Sequence, residues 1–254
     1  PAAWLGSGRL RAQSQSLRIG ASTTIGNHVL PRLLGQFLGK RPSDAGSAWR
    51  SSVTIGNTEA ICDAVAAFEL DIGLIEGPCH QASLVVTPWL RDELVVVARP
   101  NGSSGGGPGR VALKALREMV WLLREAGSVT RAATDQFLMP HLRSYRRSIE
   151  LGSSEAIKHA AAEGIGVACL SQWAVGDMIA AGRLQRLPTT LPVMSRQCYL
   201  VVHRDKQPTP ALLRFTNQAR CMTGTAGSMT SLDLEVPQAP ETPEAESRIG
   251  NSTA

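Results

Sequence analysis

"TIGNTEAICDAVA" (54–66) and "ELGSSEAIKHAAA" (150–162) are two copies of one pattern, and their likeness decides the fold. Gly56 matches Gly152, Asn57 matches Ser153, Thr58 matches Ser154, and the run Glu59-Ala60-Ile61 matches Glu155-Ala156-Ile157. Each copy reads as a strand that stops at glycine, a polar pair, and then a helix. An apolar strand follows each, "DIGLI" (71–75) or "GVACL" (166–170), and a strand ending in small hydroxyls precedes each, "IGASTT" (19–24) or "LLREAGSVT" (122–130). A supersecondary plan used twice predicts two half-domains. Strands alternating with helices predict an α/β architecture with largely parallel sheets.

Outward from the repeat, "LRIGA" (17–21) is an expected strand, followed by a helix near 25–39, a strand at 51–56 and a helix over 58–69. "LVVTPWLRDELVVVARP" (84–100) reads as two strands separated by a turn, and "NGSSGGGPGR" (101–110) breaks the chain. Helices are expected near 111–118, 129–143, 154–163, 172–181 and 209–221, with strands at "MVWLLRE", "RRSIELG", "GVACLS" and "RQCYLVVHR" between them. Residues 1–16 read as a linker or arm. Residues 222–254 have the composition of a disordered tail.

The 254 residues, 43% hydrophobic, are enough for one large domain or two small lobes. No stretch approaches a membrane span and no export signal opens the chain, so a cytoplasmic protein without a membrane partner is expected. Because the first residue is Pro1, the chain is expected to be a piece of a longer protein. Five scattered cysteines without a Cys-x-x-Cys pair argue against a disulfide framework and a zinc site, and neither metal nor cofactor is expected. Cys79-His80, the one adjacent pair of those types, reads as a loop feature. The net charge of +5 is uneven: in 223–254, five carboxylates face Arg248 alone, which is −4 and leaves +9 for the body. A basic body suits small anions or nucleic acid. The basic residues are dispersed, however, and only 4% of residues are aromatic, which speaks against direct nucleic-acid binding by this chain.

In open parallel sheets the ligand crevice lies beyond the carboxyl ends of the strands, where helices begin. Two facing lobes would bring together the helix starts at Ser22–Thr24, Asn57–Thr58, Ser128–Thr130 and Ser153–Ser154. Hydroxyls there can cap a helix, accepting from a free backbone N–H, or can bind an anion or zwitterion. Both readings stay open for Ser22, Thr24, Asn57, Thr58, Ser128 and Thr130, while Ser153 and Ser154 read as caps. Arg131 could pair with an anion or point to solvent. The glycine-rich run lacks the Gly-Lys-Ser/Thr of a phosphate loop, and no nucleophile–base pair or facing carboxylates mark an enzyme.

Taken together, "LRIGASTTIGNHVLPRLLGQF" (17–37), "VTIGNTEAICDAVAAFELDIGLIEGP" (53–78), "PWLRDELVVVARP" (88–100), "WLLREAGSVTRAATDQF" (121–137) and "ELGSSEAIKHAAAEGIGVACLSQWAV" (150–175) resemble the effector-binding domain of LysR-type transcriptional regulators. The resemblance spans about 16–220, with the motifs in family order, and points to the branch near the cysteine-regulon activators, which sense sulfur-containing small anions. It implies two Rossmann-like lobes of periplasmic-binding-protein type 2 joined by a two-strand hinge near 97–100 and 196–200. Lobe I would comprise 17–98 plus 199–221, and lobe II 99–198. The effector would be a small anionic or zwitterionic metabolite touching Ser22, Thr24, Asn57, Thr58, Ser128 and Thr130. Ile25 stands where relatives place a polar residue, which puts a contact there in doubt. DNA would be read only through an N-terminal winged helix-turn-helix, of which "PAAWLGSGRLRAQSQS" carries no trace. Homodimers are implied, and tetramers at full length. A transporter's solute-binding protein is the competing expectation, separable by its export signal.

Overall fold

A computed structural model of the protein describes residues 16–39, 51–100 and 110–222. The expected arm (1–16), glycine-rich break (101–110) and acidic tail (222–254) lie outside the described residues except at their boundary positions. The first half contains β1 (Leu17–Ser22), α1 (Thr23–His28), α2 (Leu30–Gly39), β2 (Ser51–Gly56), α3 (Thr58–Ala66) and β3 (Ile72–Glu76). The long β4 (Leu84–Ala98) leads into α4 (Leu113–Glu118), β5 (Val120–Leu123), α5 (Val129–Leu142), β6 (Arg147–Glu150), α6 (Ser154–Ala162), β7 (Val167–Ser171), α7 (Gln172–Ala180) and β8 (Gln185–Arg186). Then β9 (Met194–His203) returns, and α8 (Pro210–Cys221) ends the described chain.

One hydrogen-bonded sheet runs in the order β2-β1-β3-β9-β4-β7-β5-β6, with β8 on β4. Its ends are parallel, β1 with β2 and β3, and β5 with β6 and β7. Its middle is antiparallel, because β9 pairs with both β3 and β4, and β4 with β7. The expected parallel character therefore holds within each half and gives way where two long strands stitch the halves together.

Four apolar clusters cover the two faces of the two halves. Leu17, Ile19 and Ala21 alternate along β1 toward Leu33, Phe37, Trp89 and Phe215, while Ile61, Val65 and Leu70 fill the other face of the first half. Phe37 meets Phe215 edge to face at 5.3 Å, which docks α8 on the first half. Trp121 and Leu138 form one core of the second half, and Ile157, Ala168 and Val175 the other. Gly20 and Gly73 let α3 settle onto the sheet. A Cβ on either would meet Ile61 Cγ2 at 2.9 Å, and closer still Leu70 at Gly20 and Val201 at Gly73.

Three expectations are corrected. The helix near 25–39 is two helices parted at Val29, with Pro31 in the first turn of α2, where its missing N–H leaves no bond unmade. The helix over 58–69 stops at Ala66, and Phe68 takes a positive φ of 58° as the chain turns out. The run 84–100 contains one strand, not two. Between Pro88↔Tyr199 and Arg91↔Gln197, β4 advances three residues against two on β9, a bulge placed where Pro88 cannot donate to the ladder. Trp89 lies in the first half's core and Leu94 in the second's; on β9 the exchange falls between Met194 and Cys198.

Candidate functional site

The polar ends of β1, β3 and β5 and the helix starts beyond them enclose a cleft of about 310 Å³ between the halves. Ser22, Asn57, Thr58, Ser128 and Thr130 line it, together with Thr23, Glu76, Arg124 and Glu125. Thr24 is buried just beneath it. All six residues singled out from the sequence are thus in or directly under one cavity.

Their local roles differ. Asn57 caps α3, accepting from the Ala60 N–H at 2.7 Å, and Ser128 caps α5, accepting from the Arg131 N–H at 3.4 Å. Thr58 donates its hydroxyl to the Glu76 carbonyl at 2.9 Å. Ser153 caps α6 from Ala156, as its sequence position implied. Ser22 holds the cap position of α1 but does not cap. Its hydroxyl donates to Glu76 Oε1 at 3.0 Å, the oxygen that also accepts from the backbone N–H groups of Thr24 (2.9 Å) and Ile25 (3.2 Å). An internal carboxylate therefore occupies the donors that an incoming anion would seek.

Beneath this lies Arg196, on β9, only 5% exposed. Its guanidinium meets Glu76 Oε2 at 2.7 Å and Asp92 Oδ2 at 2.8 Å, and it donates to Thr24 Oγ1 at 3.2 Å and Thr130 Oγ1 at 3.3 Å. Ser171 closes the chain of contacts by donating to Asp92 Oδ1 at 2.7 Å. Thr24 belongs to the first half and Thr130 to the second, so one cation joins the two walls of the cleft. Two buried carboxylates share that cation. Burial pushes the Asp92 carboxyl above its ordinary range, with the Glu76 charge adding to the rise, against the pull of Arg196 and Ser171. Burial works against the charge on Arg196, and the two carboxylates overcome it and hold the guanidinium protonated.

At the mouth, Arg124 forks onto Glu125, Nη2 to Oε1 at 2.6 Å and Nε to Oε2 at 2.7 Å, and also reaches Ser154 Oγ at 3.2 Å. Hydrogen bonding from Arg124 holds the Glu125 carboxyl below its usual range. Arg131 is not among the residues lining the cleft and donates to Asp135 and to the Arg124 carbonyl. Beside the cleft, His28 Nε2 of α1 lies 3.3 Å from Glu155 Oε1 of α6, a second contact between the halves. Among the described residues, no group of three or more His, Cys, Asp or Glu could hold a metal ion.

Glu76, Asp92, Arg196 and the Arg124–Glu125 fork were not singled out from the sequence. A signal existed for Glu76, a charge that ends an otherwise apolar strand, where burial demands a partner, whereas Asp92 sits between Arg91 and Glu93 and Arg196 between Ser195 and Gln197, which hides them. Nothing in one sequence says which charge meets which.

Two half-domains clasping a polar cleft define a bilobal ligand-binding domain of the periplasmic-binding-protein type 2 kind. Residues 11–223 match the family model of the LysR substrate binding domain, and the chain belongs to that family. It is 40% identical over 205 residues to the HTH-type transcriptional regulator YeiE of Escherichia coli, covering 81% of this chain and 68% of that one. It is 33% identical over 156 residues to the HTH-type transcriptional regulator CysL of Bacillus subtilis, covering 61% of this chain and 50% of CysL, in keeping with the cysteine-regulon flavour of the motifs. The regulatory domain of Synechocystis CcmR, solved in complex with 2-PG, superposes with a TM-score of 0.69 at 31% identity, over 82% of this chain and 97% of that one. YeiE and CysL are both named as transcriptional regulators.

Proposed function

We propose that this chain is the sensing part of a LysR-type transcription factor and that a small anionic or zwitterionic metabolite binds between its lobes, against Ser22, Thr24, Asn57, Thr58, Ser128 and Thr130. One observation carries the reading: hydroxyls from both halves converge on a single cleft over a buried arginine that touches each wall. The site supplies neutral donors, one forked arginine and two carboxylates. An anion entering it exchanges for Glu125 on Arg124 or for Glu76 on the α1 N–H groups, whereas a zwitterion can also offer its ammonium to those carboxylates. Ligand contact with both walls favours one relative placement of the lobes over others, which is what coupling to a distant DNA-binding head requires. That CcmR's regulatory domain was solved with a small organic ligand supports the same use here.

The remaining expectations belong to the same proposal. DNA would be read through a helix-turn-helix of the kind named in YeiE and CysL, and a DNA-reading protein would work in the cytoplasm. Among the described residues no helix is long and apolar enough to cross a membrane. Homodimerisation, with tetramers at full length, is supported by the two ends of the sheet. Among the described residues the strands β2 and β6 each lack an outer partner in the strand order, and Val53, Ile55 and Ile149 stand exposed on them, an arrangement that a second copy would cover.

Calorimetric titration with sulfate, sulfite, thiosulfate and O-acetylserine tests the cleft. Saturable heat from one of them, lost in Thr24→Ala and Ser128→Ala proteins that keep their thermal transitions, is expected. Silence from all four in several buffers would remove the sulfur-anion form of the reading, and heat unchanged in both variants would remove the site.

A further inference from the structure

A second cavity, of about 250 Å³ against the cleft's 310 Å³, lies in the second half and shares no lining residue with the cleft. Strand pairing creates it. β4 is paired with β9 as far as Leu94↔Met194 and with β8 from Val97↔Arg186, so the intervening residues 187–193 leave the ladder, and the cavity lies between them and β4. Hydrogen bonds fasten this loop in place. The Leu187 N–H donates to the Val96 carbonyl at 2.8 Å, the Val111 N–H to the Pro188 carbonyl at 2.7 Å, and the Leu191 N–H to Thr189 Oγ1 at 3.3 Å.

Its lining is apolar and basic. Leu94, Val96 and Met194 come from the buried spine, and Val193, at 80% exposure, is the barest large apolar side chain among the described residues. Two guanidinium groups join them: Arg110, directly before the fastened Val111, and Arg186, directly before the fastened Leu187. No Asp or Glu lines this cavity among the described residues, whereas the cleft holds Glu76 and Glu125. Arg186 bonds to Glu93, which lies outside the lining, and Arg110 has no ion pair among the described residues. One carboxylate against two guanidinium groups leaves a single positive charge beside an apolar hollow. A mostly apolar concavity with a few convergent polar groups is the usual make-up of a small-molecule site, and an apolar patch left bare next to it marks surface that an occupant covers.

From this composition we infer that the cavity is a second small-molecule site, which takes a monocarboxylate with a short hydrocarbon body. The carboxylate bonds to Arg110 and Arg186, and the hydrocarbon covers Val193, Leu191 and Met194. A zwitterion is refused, because its ammonium would find no carboxylate in the lining. The two cavities therefore select different chemistry: polar anions or zwitterions in the cleft, an apolar monoanion here. The second site does not rest on the proposed use of the cleft, yet it adjoins the same spine. Leu94↔Met194 is a rung of the β4–β9 ladder two residues along from Asp92↔Arg196, the ion pair beneath the cleft.

The test is calorimetric titration of the full chain with isocaproate, beside acetate, which lacks the hydrocarbon, and isohexanol, which lacks the charge. Saturable heat with a Kd at or below about 1 mM is expected for isocaproate alone. Arg110→Gln and Arg186→Gln should each weaken it about tenfold, and the double variant should abolish it. Glu93→Gln, which releases Arg186, should tighten it roughly twofold, as loss of an exposed ion pair allows. Val193→Asp should abolish binding by setting a carboxylate against the incoming one. These side chains are exposed or half-buried, so the thermal transitions should be kept, and Ser128→Ala in the cleft should leave isocaproate binding unchanged. No saturation at concentrations roughly tenfold higher, equal binding of acetate or isohexanol, or heat lost in Ser128→Ala and kept in the double arginine variant would overturn the inference.

Discussion

The helix that follows β1 and the helix that follows β5 occupy matching places, each past the end of a strand and at a serine, yet the two starts are finished differently. In the second half Ser128 caps α5 itself, accepting from a backbone N–H three residues on. In the first half Ser22 gives up that role, and a carboxylate from more than fifty residues away receives its hydroxyl and the backbone N–H groups of Thr24 and Ile25. A duplicated plan thus carries a local solution on one side and a tertiary one on the other. The tertiary one is tied to Arg196, so the state of the first helix start is shared with both walls, whereas the Ser128 cap concerns its own helix alone.

The largest effect that would test this contrast is removal of the shared cation. Arg196→Met strands Glu76 and Asp92 in the interior, and a loss of roughly 3–5 kcal/mol is expected in urea denaturation. A loss below about 1 kcal/mol would mean that the two halves do not depend on it. Next comes the direct comparison. Glu76→Gln keeps an oxygen for the α1 N–H groups but removes a charge from bonds to Arg196 and should cost about 2 kcal/mol, Asp92 still neutralising the guanidinium. Ser128→Ala should cost about 1 kcal/mol, the ordinary value of a cap. Equal losses would show the two starts to be energetically alike despite their different partners.

The smallest effect concerns the neighbouring contact between the halves. Burial lowers the His28 pKa, and Lys158 reinforces this, outweighing the opposite pull of Glu155 and Asp177. The folded protein then binds this proton less readily than the unfolded chain, whose histidines titrate near 6.5. Stability should therefore fall as pH drops through about 6.5 and level off below the folded pKa, and His28→Gln should flatten that part of the curve. The thermal transition measured from about pH 7.5 to about pH 5 checks it. An unchanged slope in the variant would place the proton uptake elsewhere.

The halves themselves were legible because strand, glycine, polar pair and helix recur at 54–66 and 150–162, and local rules act within such short windows. The six hydroxyl and amide residues were legible for a related reason: they stand where strand ends meet helix starts, and topology sends those points to one crevice. What escaped was set by distant pairing. The run 84–100 read as two strands separated by a turn, yet β9 supplies a partner on both sides of Pro88 and the strand continues through a bulge. Arg196 and Asp92 are 104 residues apart, and only the antiparallel register of β4 and β9 brings them face to face. Asn57 and Ser128 could have been caps or ligand contacts on sequence grounds. They are caps that also line the cleft, which shows the two readings are compatible.

The bulge between Pro88 and Arg91 has a mechanical consequence. Strands β4 and β9 give the halves a common spine, so neither half can swing without deforming that ladder, and the irregular step is its softest stretch. A few degrees of tilt there would barely disturb Trp89 or Asp92 at the fulcrum. The same tilt would carry the far margins of the molecule, β2 on one side and β6 on the other, through a much wider arc. An event no larger than a guest of a few atoms would then be magnified at the outermost strands, as a lever turns a short push near its pivot into a long travel at its tip.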